Sequence, residues 1–265
     1  MTRSPHPLAT IVVTVRNEAR HISDLLDSLV VQEPPFEVVI VDAESTDTTQ
    51  DIVRHYQKAY PNIRLIVRKC TRGGGRNLGV AEAKGEIVCF IDGDCIANPF
   101  WLAKLRRTLA DSDIAAGRTI QIGYWAFEAL ARVELEHRGS DVTYPSCNLG
   151  YWRDLFEKVG GFDERFITAE DIDLNYRAVD VGGKLVAHDE AIVYHRARDT
   201  ITKFLKQAYW NGYGRKQLTL KHGNLWGRYS FRRMLKQQGS FWGLARLASA
   251  SMGYMVAKAK EKRST

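Results

Sequence analysis

The sequence has little cysteine and little proline: four Cys and seven Pro among 265 residues. Cys70, Cys89, Cys95 and Cys147 form no CxxC pair, and no histidine stands at zinc-finger spacing from them. That excludes a structural zinc module and a disulfide-dense secreted scaffold, and it predicts reduced thiols in a cytosolic protein. No apolar run reaches the roughly 20 residues that span a bilayer. The nearest approach, Phe241–Ala257, has 17 residues and is interrupted by Gly243, Arg246, Ser249, Ser251 and Gly253. Met1–Ala9 lacks an apolar h-region, so no signal peptide is expected. There is no GK[ST] P-loop and no GxGxxG fingerprint, which argues against P-loop nucleotidases and ordinary dehydrogenases. Internal repeats and low-complexity linkers are also missing.

Acidic residues are scarce in one region only. From Arg196 to Thr265 there are 16 Lys and Arg against Asp199 and Glu261, a net of +14, whereas residues 1–195 carry a net of −7. The overall +7 therefore averages an acidic body with a basic tail. Such asymmetry predicts an anionic surface as partner. Nucleic acid is not expected, because no recognition motif accompanies the charge. Hydrophobic residues at 45% and charged residues at 26% are globular values, and they exclude disorder and collagen. The chain divides into a body, 1–198, and a basic, aromatic, helical extension, 199–265.

The body alternates two periods. Thr10–Val15, Glu37–Val41, Ile63–Val67 and Glu86–Ile91 are short apolar, β-branched runs. Between them, His21–Val31, Thr48–Tyr60 and Arg76–Ala83 carry helical spacing. Asp47, with Gln50 three residues on, predicts a capping box for the second helix. Buried strands alternating with helices predict a parallel sheet covered on both faces. Farther on, Trp101–Leu109, Tyr124–Arg138, Asp154–Val159 and Glu170–Val181 read as helices. The last two are stopped by Gly160-Gly161 and Gly182-Gly183. Lys184–Ala187 and Ala191–His195 read as short strands.

In an open parallel sheet, ligands bind beyond the carboxyl ends of the strands. The segments expected there are Arg16-Asn17-Glu18, Asp42 to Asp47, Thr71 to Asn77, and Asp92-Gly93-Asp94. Two carboxylates at i and i+2 beyond a strand end can bind a hard divalent cation, and Gly93 lets a diphosphate approach. The equally simple reading is a solvated turn. Gly73–Gly75 before Arg76 predicts a phosphate-cradling nest at a helix start. Glu170-Asp171-Ile172-Asp173 places three acids in one first turn. That suits the helix dipole, but it also offers a general base. His195 ends a strand and is a candidate third metal ligand, with His188 as its competitor.

Taken in order, Thr14 to Glu18, Val41 to Thr49, Gly75-Arg76-Asn77-Leu78-Gly79, Phe90 to Asp94, Gly160 to Glu164, Glu170 to Leu174 and His195 resemble glycosyltransferase family 2. The resemblance covers about residues 8–215. It implies the GT-A fold, an α/β, Rossmann-like, mostly parallel sheet with helices on both faces. It implies a nucleotide-diphosphate sugar donor, UDP- or GDP-linked, and Mn²⁺ or Mg²⁺. It implies that Thr14, Arg16 and Glu18 lie near base and ribose, and that Asp42 pairs with the base with Ser45 beside it. Ala43 stands where the family usually has a second acid. Arg76 would approach the diphosphate, and Gly93 would lie under it. Asp92, Asp94 and His195 would take the metal. Asp171 would be the base of an inverting displacement, and Glu170 would help place the acceptor hydroxyl.

In lipid-linked and processive members, a Gln-x-x-Arg-Trp segment follows the body. Here Gln207, Trp210 and Arg215 occupy that neighbourhood without Arg-Trp in register, and they are expected at the acceptor. Arg232, Arg233, Lys236, Lys258, Lys260, Lys262 and Arg263 flank the apolar stretch 241–257, with Trp226 and Trp242 as interfacial anchors. This pattern predicts an amphipathic segment lying on anionic lipid at the cytoplasmic face, where a lipid-linked or membrane-presented glycan would be the acceptor. A plain soluble helical cap is the rival for the tail. For the body, the rivals are a nucleotidyltransferase that makes sugar nucleotides and a non-catalytic nucleotide-sugar-binding membrane protein.

Overall fold

The computed structural model describes residues 6–123, 132–196, 200–229 and 239–261. An eight-stranded sheet has the order β3-β2-β1-β4-β9-β6-β10-β5. β1 (Ala9–Val15), β2 (Phe36–Asp42), β3 (Ile63–Val67) and β4 (Ile87–Asp92) run parallel, as the alternating pattern predicts. α1 (Ile22–Val30), α2 (Thr49–Ala59) and α3 (Arg72–Ala81) connect them. Alternate residues of one strand serve opposite faces. Ile11, Val13 and Val15 pack with α1 and with α4 (Trp101–Ala110), whereas Val12 packs on the far side with Val80 of α3. Each such side chain contributes roughly 1.5–3 kcal/mol on burial, and the double-sided demand accounts for the unbroken apolar runs.

Three strands of the large sheet escaped the sequence pattern. β5 (Cys95–Ala97) and β6 (Ile114–Ile122) are strands, and β9 (Leu149–Trp152) runs antiparallel between β4 and β6. β6 begins IAAG and ends RTIQI, so its burial fades along its length and no single period stands out. The two strands expected at Lys184–Ala187 and Ala191–His195 are one, β10 (Leu185–Arg196), broken by a bulge between His188 and Ile192.

The helix expected over Tyr124–Arg138 is not found where it is described. Residues 124–131 lie outside the described residues, and Glu136–His137 is a two-residue strand, β7, paired with β8 (Ser140–Asp141). The glycine run is likewise no nest. Thr71 caps α3 by accepting from the Gly74 N–H at 3.0 Å, and the helix already starts at Arg72. Small residues are required there for packing: a Cβ on Gly75 would lie 2.8 Å from Thr14 Cγ2, and one on Gly79 2.4 Å from Val12.

α5 (Arg153–Lys158) and α6 (Glu170–Asp180) cover the α3 side. Each ends in the expected glycine pair, with Gly160, Gly161 and Gly182 at positive φ. α7 (Ile201–His222) docks on α6 through Phe166, Ile172, Tyr176, Val179 and Leu218. The buried Asp173 receives His222 at 2.7 Å, Lys221 at 2.8 Å and Arg177 at 2.8 Å. α8 (Phe241–Glu261) runs alongside α7 in the same direction, since Leu205 meets Ser249 and Lys216 meets Glu261. The helices approach closely: a Cβ on Gly212 would lie 1.8 Å from the Ala250 oxygen, and one on Gly253 1.9 Å from the Tyr209 oxygen. Among the described residues, no helix is long and apolar enough to cross a membrane.

Candidate active site

The ends of β1 and β2 are register partners, Val15 beside Asp42, so the loops after them leave one sheet edge together. Asp42 is fully buried. A buried carboxylate is costly without donors, and Asp42 has three. The Ser45 N–H donates to it at 2.7 Å, Ser45 Oγ at 2.5 Å and Gln50 Nε2 at 2.9 Å. Gln50 is thereby drawn away from the expected capping box, and Thr48, the actual N-cap, makes no side-chain cap bond. The loops are laced by Asn17 and Glu44, both at positive φ. The Asn17 N–H donates to Ser45 Oγ at 2.8 Å, and its Oδ1 accepts from the Thr46 N–H at 2.8 Å. The Glu18 N–H donates to Thr49 Oγ1 at 2.9 Å. Thr14 lies beside Asp92 in register, and Arg16 is exposed at the mouth. Gly93 faces this loop as well, for a Cβ there would stand 2.8 Å from Val15 Cγ1 and 3.1 Å from Glu18 Cγ.

Arg76 sits behind the site, 2% exposed. Its Nη1 donates to Glu170 Oε1 at 2.8 Å and its Nη2 to Asp92 Oδ1 at 2.7 Å. The guanidinium also lies 5.3 Å from the Phe162 ring centroid. Burial alone would lower its pKa, but the two carboxylates outweigh that and raise it, so the charge is permanent. One side chain of α3 thus ties the end of β4 to the start of α6.

Asp94 Oδ1 lies 3.4 Å from His195 Nε2, and the ring's Nδ1 lies 3.0 Å from Gln121 Oε1. Burial pulls the His195 pKa down, yet the Asp94 bond and the nearby Cys147 and Asp92 charges lift it to about 9. Ligand atoms of Asp94, Cys95 and His195 all lie within 4.8 Å of one another. A carboxylate and an imidazole converging in this way fit a divalent cation. Cys95 is a poorer donor, because its hydrogen bond with Cys147 and its burial raise its pKa and keep it a thiol. Asp92, expected to share the metal, lies outside this cluster, with Oδ1 held by Arg76. His188 is not part of it either; its Nδ1 accepts from the Glu190 N–H at 3.2 Å. Gln121 and Cys95 were not singled out in the sequence. Cys95 had an available signal, as the residue directly after Asp94.

Ala169, at φ 66°, turns the chain into α6. Glu170 is 3% exposed and bound to Arg76. Asp171 accepts from the Ser146 N–H at 3.1 Å and the Ile172 N–H at 2.8 Å. Burial first, and the neighbouring Glu170 charge second, push its pKa up to about 6, against the opposing pull of these N–H groups and Arg76. The three acids therefore differ in surroundings. Asp173 is held by three basic side chains and Glu170 by Arg76, whereas Asp171 has two N–H donors and a pKa raised by burial. Of the expected acceptor residues, Trp210 is closest to this start. Its carbonyl accepts from Thr168 Oγ1 at 2.8 Å, and a Cβ on Gly214 would lie 2.4 Å from the same hydroxyl. Gln207 is exposed on α7. Arg215 points elsewhere, donating to the Val133 carbonyl at 2.9 Å and Tyr229 OH at 3.1 Å.

Comparison with known proteins identifies the family and the fold. A family model described as glycosyl transferase family 2 matches residues 10–160. The chain is 27% identical over 226 residues to the glycosyltransferase AglE of Haloferax volcanii, covering 80% of this chain and 74% of that protein. It is 23% identical over 239 residues to the probable glycosyltransferase YdaM of Bacillus subtilis, covering 81% of this chain but 57% of the relative. A mannosyltransferase from Pyrobaculum calidifontis, solved with GDP-Man and Mn²⁺, superposes with a TM-score of 0.68 at 20% identity, over 96% of this chain and 76% of that one. TarS residues 1–349 from S. aureus, solved with UDP-GlcNAc, give 0.61 at 17%, over 96% and 91%. The likeness shows the GT-A fold.

Proposed function

Because the chain belongs to glycosyl transferase family 2, we propose that it transfers a sugar from a nucleotide-diphosphate donor to an acceptor hydroxyl with inversion, aided by Mn²⁺ or Mg²⁺. The observation that carries this reading is Asp171, whose carboxylate is held in place and raised in pKa beside the Arg76-bridged Asp92 and Glu170. The loops at Thr14–Glu18 and Asp42–Ser45 would hold the nucleoside. Asp171 takes the acceptor proton as the hydroxyl oxygen bonds to the anomeric carbon. The bond from that carbon to the diphosphate oxygen breaks, and the nucleoside diphosphate leaves with the electron pair. Attack opposite the leaving group inverts the centre. A divalent cation on Asp94 and His195 would supply charge stabilisation for the departing diphosphate. Arg76 serves from behind, holding Asp92 and Glu170 in position.

A panel of nucleotide sugars, each with and without Mn²⁺, tests this directly. A ligand that binds only the folded state raises its melting temperature. A Mn²⁺-dependent rise with a UDP- or GDP-sugar is the expected result. No rise with any of them would defeat the reading.

The extension suits a membrane-presented acceptor. α8 packs Gly243, Gly253 and Ala257 inward and leaves Phe241, Leu244, Met252, Met255 and Val256 outward, at helical spacing. Lys258 and Lys260 follow in the last turn, with cations in number around them. Trp242 is less available as an anchor, since it packs edge-on against Phe204 at 6.4 Å. We infer that this face lies on anionic lipid, the apolar stripe among the chains and Lys258 at the phosphates, while Lys260 lies over the Tyr213 ring of α7 at 5.7 Å. Arg232, Arg233, Lys236, Lys262 and Arg263 lie outside the described residues. In vesicle flotation, the chain should rise with phosphatidylserine vesicles at low salt and less at high salt. Met252→Glu with Met255→Glu should abolish the association. Wild-type chain that stays at the bottom at every salt concentration would end the membrane proposal.

A further inference from the structure

Gln121 belongs to none of the motifs, yet the sheet delivers it to the metal site. It is the direct register partner of His195 in the parallel β6–β10 pair. The bulge in β10 makes it so. Before the bulge, Leu185 pairs with Ile114 and His188 with Gly117; after it, Ile192 pairs with Arg118, a register reset by three residues. Without that reset His195 would stand beside position 124. The bulge is itself held, because the Asn148 side-chain amide donates to the Ala191 carbonyl at 2.9 Å and to the Arg118 carbonyl at 3.1 Å. Gly117 leaves room for this contact, as a Cβ there would lie 2.2 Å from both the Ala191 oxygen and Asn148 Oδ1.

We propose that Gln121 is a positioning residue of the divalent-cation site: its carboxamide oxygen takes the Nδ1–H of His195 and so presents the Nε2 lone pair beside Asp94. A neutral imidazole has one N–H and one lone pair, and the partner of one nitrogen decides which is which. Without a cation both ring nitrogens face acceptor oxygens, Gln121 Oε1 at 3.0 Å and Asp94 Oδ1 at 3.4 Å, so the ring can carry a hydrogen on each; a bound cation would replace the one on Nε2 and leave the one on Nδ1 that Gln121 takes. Nε2, 3.4 Å from Asp94 Oδ1, is then the nitrogen left to bind a cation. The opposite tautomer would put a hydrogen where the ion must go. Outer partners of ligating histidines fix ring and tautomer in this way, and losing one weakens metal affinity about 10–100-fold.

This inference rests on the metal reading above, and its test separates the two. Mn²⁺ affinity is measured on the full chain without donor, from the electron paramagnetic resonance signal of free Mn²⁺. His195→Ala should weaken binding. Gln121→Leu should weaken it by about 10–100-fold with an unchanged metal-free melting temperature, while Gln121→Glu, still an acceptor toward Nδ1, should retain it. ¹⁵N NMR of the wild-type chain with Mg²⁺ should show the His195 hydrogen on Nδ1. Wild-type Mn²⁺ affinity in Gln121→Leu, equal losses in the Leu and Glu variants, or a hydrogen on Nε2 would each overturn the role of Gln121 alone. A wild-type chain that binds no Mn²⁺ would overturn this inference together with the metal reading.

Discussion

Asp171→Asn is expected to fold normally, to bind donor nearly as the wild-type chain does, and to lose transfer by about 10²–10⁴-fold, the worth of general-base assistance. The amide has the shape of the carboxyl group and its oxygen can keep the Ser146 N–H bond, but it cannot take a proton. The stability effect has a definite sign. Burial and Glu170 raise the Asp171 pKa to about 6 in the folded chain, above the ordinary carboxylate value. Between the two values the folded state binds the proton more tightly, so wild-type stability falls as pH rises through that window and stays lower above it. The uncharged variant lacks this penalty. Asp171→Asn should therefore unfold at the same or higher denaturant concentration than wild type at pH 8, an advantage that vanishes near pH 4. The wild-type rate should fall as pH drops through about 6, when the base becomes protonated. Single-turnover transfer assays and urea titrations at the two pH values read both effects. Transfer at near wild-type rate in Asp171→Asn would remove this residue from the base role.

Arg76→Met is expected to be the most destabilising change in the site. Methionine fills similar space beside Phe162 but takes the near counter-charge from the buried Glu170, which keeps only the exposed Arg72 at 3.8 Å, and from the half-buried Asp92. Breaking a buried pair on one side costs about 3–5 kcal/mol, a large part of the roughly 5–15 kcal/mol that holds a domain folded. Asp171 should respond too, because Arg76 is one of the charges that lower its pKa. The acidic limb of the rate profile should move to higher pH. Arg76→Lys separates the two consequences. It keeps a positive charge, so most of the stability should return. A single ammonium cannot span Asp92 and Glu170 as a planar fork does, so activity should stay low. Urea midpoints and pH–rate profiles for both variants decide the matter. A Met variant with wild-type midpoint and unchanged profile would show that the bridge is idle.

Much of the fold was legible before any coordinates. The runs TIVVTV, EVVIV and EIVCFI are apolar on both faces, and only a sheet covered twice demands that of consecutive residues. Glycine pairs after Lys158 and Asp180 marked helix ends because left-handed φ is inexpensive for glycine alone. The strands that failed to show were those with mixed burial. β6 passes from core to site along its length, and β9 is four residues of Leu, Gly, Tyr and Trp. The glycine run before Arg76 misled for a related reason. Gly73–Gly75 satisfies a steric demand set by Thr14 and by the 162–164 segment, residues distant in sequence, and so reads locally as a loop.

The candidate site divides along the same line. Chain order and residue type singled out Asp92, Asp94, the acids Glu170, Asp171 and Asp173, and His195 as candidates, and the family resemblance added Asp42 and chose Asp171 among the three acids. What surrounds each of the three acids at the start of α6 was decided by tertiary structure alone. Asp173 meets Arg177, Lys221 and His222, Glu170 meets Arg76, and Asp171 meets two N–H groups and a like charge. Proton affinity depends on desolvation and on charges within a few ångströms, and those neighbours come from α3, α7 and the 146–148 turn. Gln121 reaches His195 by the same means, through a strand register reset by a bulge. A sequence lists the groups able to ionise, and their surroundings, assembled only by folding, decide which of them holds or gives up a proton.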